Sequence, residues 1–152
     1  IGDLEVDITP ARKQPGYVNY HWIYVSKFDS WKQTNIQIHI NDISASGRLN
    51  EIKLLKIWRQ LNGLDFPSIY LEYLTLQILS GKSKDATRLG ENFLHILREL
   101  SKDISNPLFT IIIDPANSAN ILSDLLNEAE KRTIILKAKT AISQKYWESI
   151  VW

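Results

Sequence analysis

The hydrophobic pattern of this 152-residue chain changes its period near Ser44. Before that point, three short segments alternate or cluster β-branched and aromatic residues: LEVDI (4–8), YVNYHWIYV (17–25) and IQIHI (36–40). Segments of this kind, separated by proline and glycine, are typical of strands. After Ser44 the apolar residues recur three and four positions apart, which is the spacing of one helix face. The sequence therefore predicts an α+β fold with strands first and helices after them.

Helix signals divide the second part of the chain. A first helix is expected before Gly63, which suits a left-handed C-terminal cap. A second is expected to begin at Ser68 as N-cap, and a third to follow Asp85. The segment LFTIIIDP (108–115) predicts a buried strand or extended stretch that stops at its proline. From about Ser123 to the end, the pattern predicts one long helix or one broken helix.

Composition excludes several classes of protein. There are no cysteines, so disulfide frameworks, thiolate catalysis and cysteine-based zinc sites are ruled out. A net charge of +1, from 18 basic and 17 acidic residues, argues against a globally basic nucleic-acid binder. No apolar run approaches the ~20 residues of a membrane span, and the first residues lack the order of a signal peptide. We therefore expect a soluble cytoplasmic protein without a membrane partner.

Common catalytic and binding motifs are missing or incomplete. The string GKS at 81–83 resembles the end of a phosphate-binding loop, but Leu76 stands where that loop needs a glycine, so a turn is expected. His21, His39 and His95 lack the spacing of a helical metal site and are expected to have ordinary structural roles.

Four aromatic residues offer flat faces on which nucleic-acid bases can stack: Trp22, Tyr24, Trp31 and Trp58. Aromatics at strand and helix spacing more often fill cores. We therefore expect most of them to be buried.

Four segments follow one another in a fixed order: EVDITPA (5–11), LLKIWRQ (54–60), PSIYLEYLT (67–75) and IIDPANSAN (112–120). Together they resemble the second half of the template-independent nucleotidyltransferases that include oligoadenylate synthase, cyclic GMP-AMP synthase and the bacterial anti-phage cyclic-oligonucleotide synthases. The resemblance extends over nearly the whole chain. It implies that residues 1–44 are the last strands of the catalytic sheet, and that 45–152 form a helical C-terminal domain similar to that of oligoadenylate synthase.

The resemblance implies roles for three residues. Asp7 would be the third metal-binding carboxylate, and Mg²⁺ (or Mn²⁺) the metal. Lys56 and Ser68 would bind the β- and γ-phosphates of a nucleoside triphosphate such as ATP or GTP, since a lysine offers a charge and a helix N-terminus offers N–H groups. Lys53 and Arg59 would extend the same positive face. The alternatives are a solvated strand-end acid at Asp7, a solvated helix flank at Lys56 and a simple N-cap at Ser68.

The chain also departs from the family pattern. Ile69 follows the serine where many relatives have a base-stacking tyrosine, and Tyr70 comes one position later. In the segment SWKQTNIQIHI (30–40), Ile36 replaces the usual proline, and a structural role is expected for that segment. Asp114 and Asn120, in the Asp-Pro loop, are expected to hold the loop and to cap the next helix.

In this family the glycine-serine helix start and the paired carboxylates precede the strand that carries Asp7. The start at Ile1, with no methionine in the chain, suggests that an upstream N-terminal catalytic segment precedes it. We expect the chain alone to be inactive. The whole protein would join nucleoside triphosphates into a cyclic or linear second messenger and release pyrophosphate.

Two alternatives remain at this stage: an RNA-tailing transferase of the CCA-adding or poly(A) type, and a noncatalytic interaction domain. Base preference, linkage, a nucleic-acid activator and the oligomeric state are left open by the sequence.

Overall fold

The strands are not confined to the first part of the chain, because a second small sheet follows the fourth helix. The computed structural model describes residues 10–151. An antiparallel sheet of order β1-β2-β3 comes first, with β1 Ala11–Lys13, β2 His21–Val25 and β3 Ser30–Thr34. A second antiparallel pair consists of β4 Ile113–Asp114 and β5 Asn117–Ile121. The helices of the described part are α1 Ile36–Ala45, α2 Leu49–Leu61, α3 Ser68–Ile78, α4 Leu89–Leu100, α5 Glu128–Ile142 and α6 Glu148–Val151. The predicted α+β class is confirmed.

The predicted strand at 36–40 is wrong, because these residues form the first half of α1. The side chain of Asn35 accepts a hydrogen bond from the N–H of Gln37 at 3.1 Å and caps the helix. Ile36 and Ile40, one helical turn apart, are about half exposed, while Ile43 is buried. The alternation of three isoleucines is typical of a strand, but the Asn35 cap and the burial of Ile43 in the next turn stabilise a helix.

Two other strand predictions need correction. In the segment 17–25 only His21–Val25 is a strand, and Asn19 before it has a φ of +61°, typical of a turn. In the segment 108–115 a 3₁₀ turn at Pro107–Phe109 precedes the two-residue β4, and Ile111 and Ile113 are exposed rather than buried. The predicted strand at 4–8 lies outside the described residues.

The predicted helices are confirmed, with one change at a cap. Gly63 follows α2 with a φ of +59°, as a left-handed cap requires. Ser68 is the first residue of α3 instead of its N-cap; Pro67 occupies the cap position, and no side chain caps this helix. Asp85 caps a 3₁₀ turn that leads into α4. The last stretch is a broken helix, α5 followed by α6.

The apolar faces of α2, α3, α4 and α5 form the core. Its largest fully buried side chains include Trp58 and Tyr70. The Tyr70 hydroxyl donates a hydrogen bond to the carbonyl oxygen of Leu108 at 3.0 Å. This bond joins α3 to the segment before the hairpin and satisfies a hydroxyl that would otherwise be costly to bury.

A buried ionic network connects the start of α2 to α4 and to the turn that follows α3. The guanidinium of Arg48 donates to the Glu51 carboxylate and to the carbonyl oxygens of residues 79, 82 and 83. Asn92 on α4 donates to the same carboxylate at 2.8 Å. The turn at 79–83, which includes the GKS string, is therefore held by Arg48.

The hairpin β4-β5 lies against the first sheet. The side-chain amides of Asn117 and Asn120 donate to the carbonyl oxygen of Gln33 in β3, at 3.2 and 2.9 Å. The sequence predicted that Asn120 caps the next helix, and this prediction is wrong. Asn127 caps α5 instead, in a capping box. The boundary predicted between residues 44 and 45 falls inside α1. Among residues 10–151, the helices are all too short or too polar to span a bilayer.

Candidate functional site

Two polar pairs join α2 to α3 beside the turn that connects them. Lys56 Nζ lies 2.5 Å from Glu72 Oε1, and Arg59 Nη1 donates to the Ser68 hydroxyl oxygen at 3.0 Å. Lys56 and Arg59 are three residues apart on α2, while Ser68 and Glu72 are four apart on α3, so each pair of residues shares a helix face. Since the later α2 residue meets the earlier α3 residue, the two helices run antiparallel here. Lys56 and Ser68 consequently lie about one helical turn apart on one surface.

Arg59 holds the beginning of α3 in place. Its Nη1 also donates to the carbonyl oxygen of Phe66 at 2.6 Å. Ser68 is the first residue of an 11-residue helix, whose first N–H groups have no partner within the helix. A hydroxyl, a guanidinium and free N–H groups are thus collected at one helix start, which is a suitable environment for an anion.

Glu72 was not among the predicted site residues. It neutralises Lys56 in this conformation, and the side chains of Lys56 and Glu72 are 35% and 17% exposed. The available signal was the spacing of Glu72 four residues after Ser68, which places both on the helix face toward α2. An anion that uses Lys56 has to displace a carboxylate.

A cavity of about 400 Å³ lies on the next face of α3. Its wall includes Pro67 and Ile69, which flank Ser68, and it extends to the first sheet, α1 and the β4-β5 hairpin. Most of its lining is aliphatic or aromatic, and the lining includes Ile23, Val25, Phe28, Ile36, Ile121, Leu122 and Leu125. A volume of this size suits a small molecule. Ile69, in the position next to Ser68, therefore contributes an apolar surface to a real cavity.

A hydrogen-bonded pair of side chains forms one polar part of the cavity wall. His39 Nε2 on α1 lies 2.7 Å from Asp114 Oδ1, and the two side chains are 13% and 4% exposed. Burial disfavours the Asp114 carboxylate, but hydrogen bonds from His39, from the N–H of Ala116 and from the Asn120 amide outweigh it, so the pKa of Asp114 is lowered. Asp114 thus holds the loop, as expected, and also ties it to α1.

The metal ligand predicted at Asp7 lies outside the described residues. Within residues 10–151 there is no group of three or more histidine, aspartate and glutamate side chains arranged to hold a metal ion. These residues by themselves do not fit a magnesium site, and we derive no step through a metal from them. Mg²⁺ or Mn²⁺ remains a prediction from the resemblance.

Comparison of the chain with protein-family models, with curated proteins and with solved structures finds no match in any of the three. The nucleotidyltransferase resemblance therefore stays a prediction based on the four segments.

Proposed function

We propose that this chain is the C-terminal portion of a cytoplasmic nucleotidyltransferase that joins nucleoside triphosphates, ATP or GTP, into a cyclic or linear oligonucleotide. The observation that carries the proposal is the convergence of Lys56, Arg59 and Ser68 at the turn between α2 and α3. Two cations and a hydroxyl at a helix start match the needs of a triphosphate. Lys56 and Arg59 of segment 54–60 thus lie beside Ser68 of segment 67–75.

Each residue has a separate task in this proposal. Ser68 and the first N–H groups of α3 bind a terminal phosphate, and Arg59 fixes the direction of the Ser68 hydroxyl. Lys56 exchanges Glu72 for a phosphate oxygen when the nucleotide arrives. The nucleoside extends toward the cavity wall at Ile69, where an apolar surface is available for a base.

Catalysis in such an enzyme is largely positioning and electrostatics. A ribose hydroxyl attacks the α-phosphorus, the bond to the β-phosphate bridging oxygen breaks, and pyrophosphate leaves. A divalent metal, held by Asp7 together with an upstream catalytic segment, would neutralise charge on the phosphates when bound. The described residues bind and orient the triphosphate tail, so the chain alone is expected to bind nucleotide without turnover.

A noncatalytic interaction domain is the second candidate. The observation in its favour is that Lys56 is already neutralised by Glu72 at 2.5 Å. A lysine committed to a structural ion pair would have no role with phosphate. This candidate predicts that nucleotides do not bind at the α2-α3 turn, whereas an RNA-tailing transferase predicts that they do.

Calorimetric titration with ATP and with GTP, in the presence of Mg²⁺, tests the proposal. We expect Lys56→Ala and Ser68→Ala each to weaken binding about tenfold, equivalent to about 1.4 kcal/mol. Lys139→Ala is the matched control, because Lys139 on α5 forms a comparable ion pair with Asp103 at 2.6 Å. Equal affinities for the wild type and Lys56→Ala, with both variants folded, would refute the phosphate role and leave the interaction domain.

A further inference from the structure

The cavity beside Ser68 carries two polar groups that the proposed triphosphate site does not use. They are the hydroxyl of Thr34 on β3 and the imidazole of His39 on α1. Ile69, the neighbour of Ser68, lines the same cavity. A nucleotide whose phosphates bind at Ser68 can therefore place its base in the cavity, where the polar groups of the wall determine which base is accepted.

The first sheet turns one of its two sides to the cavity. Side chains two positions apart on β2 and β3 line the cavity: Ile23, Val25, Lys32 and Thr34. The aromatic side chains between them lie on the other side of the sheet and are 39%, 38% and 36% exposed: Trp22, Tyr24 and Trp31. The prediction that most of the four aromatic residues are buried is therefore wrong, although Trp58 is fully buried.

Asp114 fixes the position of a proton on His39. His39 Nε2 lies 2.7 Å from Asp114 Oδ1, and among residues 10–151 this is the only hydrogen bond of the imidazole ring. The pKa of Asp114 is lowered, so its carboxylate is ionised at neutral pH and can only accept hydrogen bonds. Nε2 therefore carries a proton. In a neutral imidazole, Nδ1 is then an acceptor and is the ring nitrogen left for a ligand.

The His39 ring is also held by an aromatic neighbour. The ring of Tyr73 on α3 lies edge-on to it, with centroids 6.0 Å apart and an angle of 77° between the planes. The Tyr73 hydroxyl in turn donates to Asp42 on α1 at 2.9 Å. Contacts with two different elements thus fix the His39 ring before a ligand arrives, which lowers the cost of binding.

The cationic side chains of the wall have other contacts. Lys27 is paired with Glu130 at 2.7 Å, and the Lys32 ammonium lies 5.0 Å from the centre of the Phe28 ring. Asp65 is exposed to solvent. Because these charged groups are paired, stacked or in water, His39 is the wall residue best suited to distinguish one base from another.

Resting on the function proposed above, we propose that the cavity binds an adenine base and that His39 Nδ1 accepts a hydrogen bond from its 6-amino group. The aliphatic lining would cover the faces of the base, and the Thr34 hydroxyl, which can donate or accept, would serve a ring nitrogen. Guanine has a carbonyl oxygen in place of the 6-amino group. Two acceptors would then meet without a proton between them, so the site disfavours guanine.

Calorimetric titration of the 152-residue chain at pH 8, where a free imidazole is neutral, tests this inference with four ligands. They are ATP, inosine triphosphate, purine riboside triphosphate and inorganic tripolyphosphate. Purine riboside lacks only the 6-amino group, and inosine has an oxygen there. We expect purine riboside triphosphate to bind about fivefold and inosine triphosphate about tenfold more weakly than ATP. Tripolyphosphate should bind more weakly than ATP, because it has no base.

Variants assign the preference to His39. His39→Phe should remove the preference for ATP over inosine triphosphate and leave tripolyphosphate binding unchanged. His95→Phe is the matched control, because His95 lies on α4 and does not line the cavity. Val25→Trp fills the cavity from the sheet and should reduce ATP binding to the level of tripolyphosphate. Circular dichroism checks that each variant is folded, and the wild-type ligand series with Val25→Trp decides the matter if His39→Phe is not.

The two proposals fail in different ways. Equal affinities for ATP and inosine triphosphate, or for ATP and tripolyphosphate, would overturn the adenine inference. A preference for ATP that survives in folded His39→Phe would overturn it as well. If Lys56→Ala still weakens every ligand by one common factor, the proposed triphosphate site stands in each of these cases. Absence of binding by all four ligands would overturn both proposals.

Discussion

Glu72→Gln removes the negative charge beside Lys56 and keeps nearly the same side-chain shape. In the wild type, a phosphate has to displace the Glu72 carboxylate, which lies 2.5 Å from Lys56 Nζ, and it then remains near that carboxylate. The variant should therefore bind nucleoside triphosphates more tightly. This direction is informative, because most substitutions in a binding site weaken binding.

The size of the effect follows from the exposure of the pair. Two like charges about 5 Å apart repel by roughly 3 kcal/mol at a dielectric constant of about 20 and by roughly 0.8 kcal/mol in water. Lys56 is 35% exposed, so solvent screening places the gain near the lower figure. We expect about 1 kcal/mol, or about fivefold tighter binding of ATP and GTP. The gain should shrink as the salt concentration rises.

Calorimetric titration of the wild type, Glu72→Gln, Lys56→Gln and the double variant measures this effect as a thermodynamic cycle. The part of the gain that comes from releasing Lys56 should disappear when Lys56 is already glutamine, whereas the part that comes from repulsion between the Glu72 carboxylate and the phosphate should remain. Glu99→Gln is the matched control, because Glu99 at the end of α4 pairs with Lys102 at 2.6 Å and the Glu99 side chain is 24% exposed. Unchanged or weaker binding in a folded Glu72→Gln would show that Lys56 does not exchange its carboxylate for phosphate.

Three further predictions concern stability and are checked by urea unfolding. Arg48→Met should lower the free energy of unfolding by about 3 to 5 kcal/mol, because it leaves the buried Glu51 carboxylate without its cation. Tyr70→Phe should cost about 1 to 2 kcal/mol, because the buried carbonyl of Leu108 loses its donor. The folded state lowers the pKa of Asp114 from its ordinary value of 3.8, so the ionised carboxylate stabilises the fold above pH 3.8 and this stabilisation is lost as the pH falls through the lowered pKa. Asp114→Asn should therefore be less stable than the wild type at pH 7. It should also lose less stability than the wild type between pH 5 and pH 2. These assignments would be contradicted if Arg48→Met changed the free energy of unfolding by less than about 1 kcal/mol, or if Tyr70→Phe left it unchanged. They would also be contradicted if Asp114→Asn lost as much stability as the wild type between pH 5 and pH 2.

Local signals predicted the helices well. The repeat of apolar residues at three and four positions marked α2, α3 and α4, and Gly63 marked an end, because these features depend on neighbours within one or two turns. The same reasoning failed at 36–40, where three alternating isoleucines fit a strand as well as a helix. Asn35 as cap and burial of Ile43 decided that segment.

The sequence by itself determined the α+β class and the positions of the main helices. It also showed a cation, Lys56, and a hydroxyl, Ser68, on either side of one predicted turn. Only the tertiary structure decided that Lys56 meets Glu72, that Arg59 holds Ser68, and that His39 meets Asp114 across 75 positions. It also decided that Trp58 is buried while Trp22 and Trp31 are partly exposed to solvent. The physical reason is range: periodicity and caps are set by adjacent turns, whereas ion pairs, cavities and exposure depend on which distant segments pack together.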